Sequence, residues 1–344
     1  MLAAPLVIDV RSGAIGDLGT LLADRRIAVE GRVAVAVGPG QGESICAELN
    51  LASAEIFGVR DGSHDAAVAL GKEVRSGNYE AVAGIGGGKT IDVTKFAAHM
   101  AGIPMVSVAT SLGHDGIASP ISTLTHESGT SSYGVVPPVA VVVDLDRVRG
   151  APTALSTAGI GDVVSNLSAI ADWELSAEDT GEPVDGLSVA MARTAAQAVL
   201  HQPGDARSDE FLTVLAEALI LSGMAMAVAG SSRPASGGDH EIMHAINDLF
   251  PGTASHGELA GLGALFCGLL REDTAQFAAI KSCLQRHGLP AIPQHVGLET
   301  GQFVEAVLHA PATRPGRYTI LERLAMSPAQ AAGRVEEYVR AVAC

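Results

Sequence analysis

Aromatic residues are scarce. Phe, Trp and Tyr make up 3% of the 344 residues, with a single Trp, so there is no platform on which successive bases of a single strand would stack. Basic residues are scarce too: 22 Lys and Arg stand against 38 Asp and Glu, a net charge of −16 with His neutral. A field of that sign repels phosphate backbones and anionic membrane surfaces, and no basic cluster overrides it, so neither nucleic acid nor membrane is expected as a partner. The four cysteines, Cys46, Cys267, Cys283 and Cys344, are scattered and form no CxxC pair. That argues against a disulfide framework and fits buried, reduced thiols. Long apolar runs are also missing. The longest charge-free one, residues 218–230, falls short of the roughly 20 residues a membrane span needs. The opening Met1-Leu2-Ala3-Ala4-Pro5 reaches Asp9 without a charged region followed by an apolar one, so it does not read as a signal peptide, and a cytoplasmic location is expected.

What is present is ample core material, 47% hydrophobic against 17% charged, in a chain long enough for two domains of roughly 100–200 residues each. The first half alternates short Val- and Ile-rich runs with helical-period stretches, as β-α units around a mostly parallel sheet would. Strands are expected at 27–29 with 33–37, 55–59, 81–85, 105–109 and 139–143, and helices at 43–51 and 66–75. Each strand ends in a small or polar loop, where open α/β sheets place ligands. Beyond Asp144-Leu145-Asp146 the texture becomes Ala- and Leu-rich, with helical spacing at 183–200, 208–229, 240–249, 257–270 and 328–343. The expected architecture is therefore an α/β dinucleotide-binding domain over 1–149 and an all-helical metal- and substrate-binding domain over 150–344.

The segment from Ala83 to Lys95 runs from an apolar strand through Gly86-Gly87-Gly88-Lys89 into a helix. Glycines there let the backbone approach a pyrophosphate, whose charge a helix N-terminus favours. It is neither GxGxxG nor a P-loop. A second loop, Thr110-Ser111-Leu112-Gly113-His114-Asp115-Gly116-Ile117-Ala118-Ser119-Pro120, packs hydroxyls, an imidazole and a carboxylate together, although any turn favours such residues. His240-Glu241-Ile242-Met243-His244 is a literal HExxH, the zincin pattern of two ligands one helical turn apart, so a peptidase has to be weighed. The alternative set is Asp162, His240 and His256, which leaves a coordination position open for a substrate oxygen. Two imidazoles and one carboxylate suit Zn²⁺, Ni²⁺ or Fe²⁺, with zinc the first expectation.

Together these segments resemble the iron-containing alcohol dehydrogenase superfamily, which includes glycerol dehydrogenase and dehydroquinate synthase, and within it the sn-glycerol-1-phosphate dehydrogenase family. The likeness rests on Gly86-Gly87-Gly88-Lys89 with Asp92, the His-Asp-Gly-Ile-Ala-Ser core of Ser111 to Pro120, Gly161-Asp162 with Ser165-Asn166, Gly230-Ser231-Ser232-Arg233-Pro234-Ala235-Ser236-Gly237, and His256-Gly257-Glu258. The resemblance implies a dehydroquinate synthase-like fold and metal ligands Asp162, His240 and His256, with His244 nearby but not a ligand. It also implies NAD or NADP contacts at Gly38, Gly87, Gly88, Asp92, Thr110, Ser111 and Ser119, and a substrate role for Asp115. The implied reaction is reduction of dihydroxyacetone phosphate to sn-glycerol 1-phosphate; His244, or a water near Asp115, is the expected proton relay. Arg233 is the expected phosphate contact. A polyol dehydrogenase, a sugar phosphate cyclase and a non-catalytic homologue are the competing readings. A homodimer or larger assembly is expected.

Overall fold

The computed structural model describes residues 4–49, 54–127 and 129–343. Among the described residues eight strands precede the long helices: β1 (Val7–Arg11), β2 (Val33–Val37), β3 (Glu55–Gly58), β4 (Ala81–Gly86), β5 (Met105–Ala109), β6 (Ile121–His126), β7 (Gly129–Gly134) and β8 (Ala140–Asp144). Six of them form a parallel sheet in the order β1-β8-β5-β4-β2-β3. Helices α1 (Leu18–Leu22), α2 (Gln41–Leu49), α3 (His64–Ser76), α4 (Gly88–Ala101) and α5 (Leu145–Gly150) are interleaved with the strands. Strands β2, β4, β5 and β8 are buried along their whole length, which is why they read as unbroken apolar runs. The chain steps from β2 out to β3 and returns to the other side of β2 as β4. The crevice beyond the carboxyl ends of β2 and β4 is therefore the switch point where such sheets bind ligands.

From residue 153 on the chain is helical: α6 (Thr153–Thr180), α7 (Gly186–His201), α8 (Asp209–Ala229), α9 (Gly238–Leu249), α10 (His256–Leu270), α11 (Thr274–Arg286), α12 (Thr300–Thr313), α13 (Ile320–Leu324) and α14 (Pro328–Ala343). The expected α/β part followed by a helical part is what is observed. Helix α8, at 21 residues, is long and apolar enough to cross a membrane, longer than the 218–230 run indicated. Most of it is buried against the rest of the protein, so it is a core helix. Cys46, Cys267 and Cys283 are buried free thiols, and Cys344 lies outside the described residues.

One local expectation is corrected, and two elements were not foreseen. Residues 27–29 are not a strand: the Asp24 carboxylate accepts from the Arg26 amide and the Asp24 carbonyl from the Ile27 amide, a turn that buries Ile27 and Ala28 as plugs. Strand β1 carries Asp9 and Arg11 and sits at the sheet edge, so it lacks an apolar signature. Strands β6 and β7 form a separate antiparallel hairpin rich in Ser and Thr, whose polar composition hid it.

A candidate metal centre beside a nucleotide groove

The first wall of the site is backbone. Helix α4 begins at Gly88, and its N-cap residue Gly87 supplies no side-chain cap, so amides at the helix start remain for an anion. Around it lies a groove of about 610 Å³ whose lining includes Gly38, Gly86, Gly87, Gly88, Lys89, Thr110 and Ser111 together with Arg60, Asp61, Pro152 and Leu155. Every one of the expected nucleotide-contacting residues except Asp92 and Ser119 lines it. Those two line the adjoining cavity of about 380 Å³, which shares Asp61 and Lys89 with the groove.

The loop between these spaces is pinned from beneath. Lys95 is fully buried, donates to the carbonyls of Gly116 (2.7 Å) and Ile121, and pairs with Asp92 at 3.0 Å. A buried cation is tolerated because a carboxylate and several carbonyls face it. His114 accepts from the Gly116 amide at 3.0 Å, and burial lowers its pKa, so it is a neutral strut.

The second wall is made of side chains brought together by two glycines. A Cβ on Gly161 would lie 2.2 Å from the Gly257 carbonyl oxygen, and one on Gly257 would lie 1.8 Å from the Ala158 carbonyl oxygen. Only glycine lets α6 and α10 approach that closely, and the residues beside them are Asp162 and His256. Helix α9 adds His240. The Nε2 atoms of His240 and His256 stand 3.2 Å apart, and Asp162 Oδ1 lies 3.7 Å and 3.3 Å from them. Two donors each about 2.0–2.1 Å from a tetrahedral ion are themselves roughly 3.3 Å apart, so the spacing fits a divalent ion.

Outer contacts orient each donor. Asp239, fully buried, bonds His240 Nδ1 at 2.5 Å, directing Nε2 inward. Asp162 Oδ2 accepts from the Asp115 amide at 2.8 Å, leaving Oδ1 for the cluster. Burial alone would raise the Asp162 pKa and lower that of His240. Hydrogen bonds with the two imidazoles instead hold Asp162 well below the carboxylate range, and bonds to Asp162 and Asp239 lift His240 to about 9. His256 keeps 31% of its side chain exposed against 4% for Asp162, so the cluster is open on the cavity side. Asp115 and His244 line that cavity. The Ser222 hydroxyl donates to Asp115 Oδ2 at 2.8 Å, and burial together with the Asp162 charge pushes Asp115 up to about 7.

The family model described as iron-containing alcohol dehydrogenase matches residues 9–152. The glycerol-1-phosphate dehydrogenase [NAD(P)+] of Methanospirillum hungatei JF-1 is 39% identical over 252 residues, covering 72% of this chain and 69% of its own. That of Pyrococcus furiosus is 38% identical over 252 residues, covering 73% and 72%. The chain belongs to the glycerol-1-phosphate dehydrogenase family. Its fold is shared with a probable glycerol dehydrogenase from Sinorhizobium meliloti 1021, at TM-score 0.80 and 22% identity over 99% of both chains. The sulfoacetaldehyde reductase of Bifidobacterium kashiwanohense, solved with NAD+, matches at TM-score 0.75 and 14% identity over 98% of both chains.

In this member of the glycerol-1-phosphate dehydrogenase family, two sequence-based expectations need revision. Arg233 does not line the cavity. Its guanidinium is paired with Glu182 and also donates to the Tyr318 carbonyl and the Ser176 hydroxyl, so its donors are consumed in holding the 230–237 segment. His244, expected as a proton relay, accepts at Nε2 from Arg314 Nη2 at 2.7 Å. Burial and the Arg314 charge lower its pKa well below the usual value, which keeps it neutral. Residues that shape the site but were not singled out are Asp239, Lys95, Arg314 and Asp172. Asp172 is buried on α6 and accepts from the amides of Gly238 and Ile320 at 2.8 Å each, fixing the start of α9. Asp239, adjacent to His240, was the one with a readable signal, because histidine ligands commonly take a carboxylate partner.

Proposed function

We propose that this protein is a metal-dependent, NAD(P)-linked dehydrogenase that reduces dihydroxyacetone phosphate to sn-glycerol 1-phosphate. The observation that carries the reading is the convergence of Asp162, His240 and His256, whose donor atoms all lie within 4.8 Å of one another, on a cavity continuous with the glycine-lined groove. Asp162, His240 and His256 would hold one divalent ion, zinc by donor chemistry and nickel or iron as the alternatives. When bound, the ion supplies Lewis acidity and the nicotinamide supplies the hydride.

The chain's own residues do the rest. Gly86, Gly87, Gly88 and the start of α4 would cradle the pyrophosphate, with Gly38, Lys89, Thr110 and Ser111 along the groove. Asp92 acts through Lys95 to hold the loop that carries Asp115 and Ser119 against the substrate. Asp115, one oxygen satisfied by Ser222, keeps the other for a substrate hydroxyl. The division of labour suggests a nucleotide-binding domain over 1–149 and a metal- and substrate-binding domain over 150–344. A cytoplasmic location and a homo-oligomeric assembly complete the reading. The polyol dehydrogenase alternative differs only in how a phosphate is met.

The test is oxidation of NADH and of NADPH with dihydroxyacetone phosphate and with dihydroxyacetone, before and after chelation. The expected result is turnover with the phosphorylated ketone that chelator abolishes and added zinc restores. Equal activity with both ketones, or activity indifferent to complete metal removal, would overturn the reading.

A further inference from the structure

The wall of the cavity facing α9 carries positive charge for which the reading above finds no use. Arg314-Pro315-Gly316-Arg317 follows α12 as a tight turn: the Arg317 amide donates to the Arg314 carbonyl at 3.1 Å, and Gly316 takes φ 87°. Proline in the second position and a positive-φ glycine in the third are what a type II turn requires, so the two guanidiniums are presented from a preset frame. Arg314 lines the cavity and donates to His244. Behind it, Arg317 donates to the Ser236 carbonyl and to Ser232 Oγ at 2.9 Å.

Neither guanidinium pairs with a carboxylate among the described residues, whereas nearby Arg233 is neutralised by Glu182. Burial, then the like charges of Arg314 and Arg233, pulls Arg317 down to about 10. A half-buried cation without a counter-charge is stabilised by any anion that reaches it. A second, independent feature points the same way. Ser236 lines the cavity, is 5% exposed, and its hydroxyl has no hydrogen-bond partner among the described residues. A buried hydroxyl left unpaired is costly unless a ligand completes it.

We propose that Arg314 and the Ser236 hydroxyl form the subsite for the phosphate of the substrate, with Arg317 as a positioning residue that ties the turn to the 232–236 segment. The subsite rests on the phosphorylated-substrate reading and replaces Arg233 in it. A guanidinium and a hydroxyl meet a tetrahedral dianion with several short, charge-assisted bonds. The placement suits the ligand's length. His244, which Arg314 contacts, lies one helical turn beyond His240, roughly 6 Å along α9, so the subsite stands about one short carbon chain from the donor cluster.

The experiment compares wild type, Arg314→Met, Arg314→Lys and Ser236→Ala as metal-loaded protein, with melting temperatures to confirm folding. It reads the ratio of kcat/KM for dihydroxyacetone phosphate over dihydroxyacetone, and competitive inhibition by inorganic phosphate. Loss of a charge-assisted contact predicts that Arg314→Met lowers the ratio about 10- to 100-fold and weakens phosphate inhibition comparably. Arg314→Lys should recover part of both, and Ser236→Ala should move both in the same direction by less. If wild type strongly prefers the phosphorylated ketone and Arg314→Met keeps that preference, the subsite is wrong while the functional reading stands. If Arg314→Met depresses both ketones equally, the turn is merely structural and the proposal fails. A wild-type enzyme with no preference sinks the functional reading itself, and the subsite with it.

Discussion

The two walls of the site are made from different materials. The groove beyond β2 and β4 is backbone: glycines and helix-start amides from short contiguous segments. The candidate metal centre is side chain: Asp162, His240 and His256 come from three helices and meet only because α6 and α10 touch at Gly161 and Gly257. Charge follows the same division. Where the groove carries charged side chains, Arg60, Asp61 and Lys89, they are exposed, whereas the helical side holds ionised groups away from water, some paired, as Arg233 is with Glu182, and some, such as Arg317, without a carboxylate partner among the described residues. A backbone site survives most side-chain changes but no change in the path of the chain. A side-chain site behaves the other way round.

The largest expected effect tests that contrast directly. His256→Ala removes a donor while its α10 neighbours stay in place, so metal content measured by elemental analysis and turnover should both collapse. Nucleotide affinity, measured by fluorescence of bound NADH, should hold within about twofold. The loss should exceed the about 10- to 100-fold typical of changes to orienting partners, the range into which Asp239→Asn should fall. Full metal occupancy in His256→Ala would show that the cluster is not the metal site, and a parallel loss of nucleotide affinity would show that the two walls are one unit.

That difference in material also decided what the sequence could disclose. The groove was legible because its parts are neighbours in the chain: β4, Gly86-Gly87-Gly88 and α4 follow in order, and the β2 and β5 loops repeat the pattern. The metal donors could be proposed by type, yet the HExxH around His240 suggested His244 as the partner. The structure gives His244 to Arg314 instead, a contact between α9 and the end of α12 that no local pattern reports. Arg233 misled for the same reason: its partner Glu182 is distant in sequence. The hairpin β6–β7 and edge strand β1 were missed because polar residues interrupt their alternation, and the strand expected at 27–29 yielded to a turn set by the Asp24 side chain.

A middle-sized effect should come from the backbone wall. A Cβ on Gly88 would lie 2.2 Å from His114 Nε2, and His114 in turn sits with its ring centroid 5.4 Å from that of His256. Overpacking of this kind costs about 1–3 kcal/mol of stability, and a methyl group at the start of α4 also stands where a pyrophosphate would approach, so Gly88→Ala should lower both the melting temperature and the affinity for NADH. Metal content should stay at the wild-type level, because α6, α9 and α10 are untouched. If metal is lost as well, His114 transmits the displacement to His256, and the walls are coupled through that one ring.

The smallest effect concerns stability at high pH and sets the helical part against the sheet. Burial pushes the Cys283 thiol on α11 up to about 11 from an ordinary 9.0, and it raises Cys46 on α2 as well. A thiol whose folded pKa is raised keeps its proton in the native state after the unfolded chain has lost it. Its stabilisation is therefore complete below about pH 9 and is lost as pH rises toward about 11. For Cys283 the loss is on the order of 2–3 kcal/mol. Urea unfolding across that interval should show stability falling less steeply in Cys283→Ala than in wild type, whatever the substitution does to the absolute value. Cys46→Ala should flatten the curve less. An equal or larger flattening from Cys46→Ala would mean that the sheet side buries its ionisable groups as tightly as the helical side, and the contrast between the two parts would then rest on the metal donors alone.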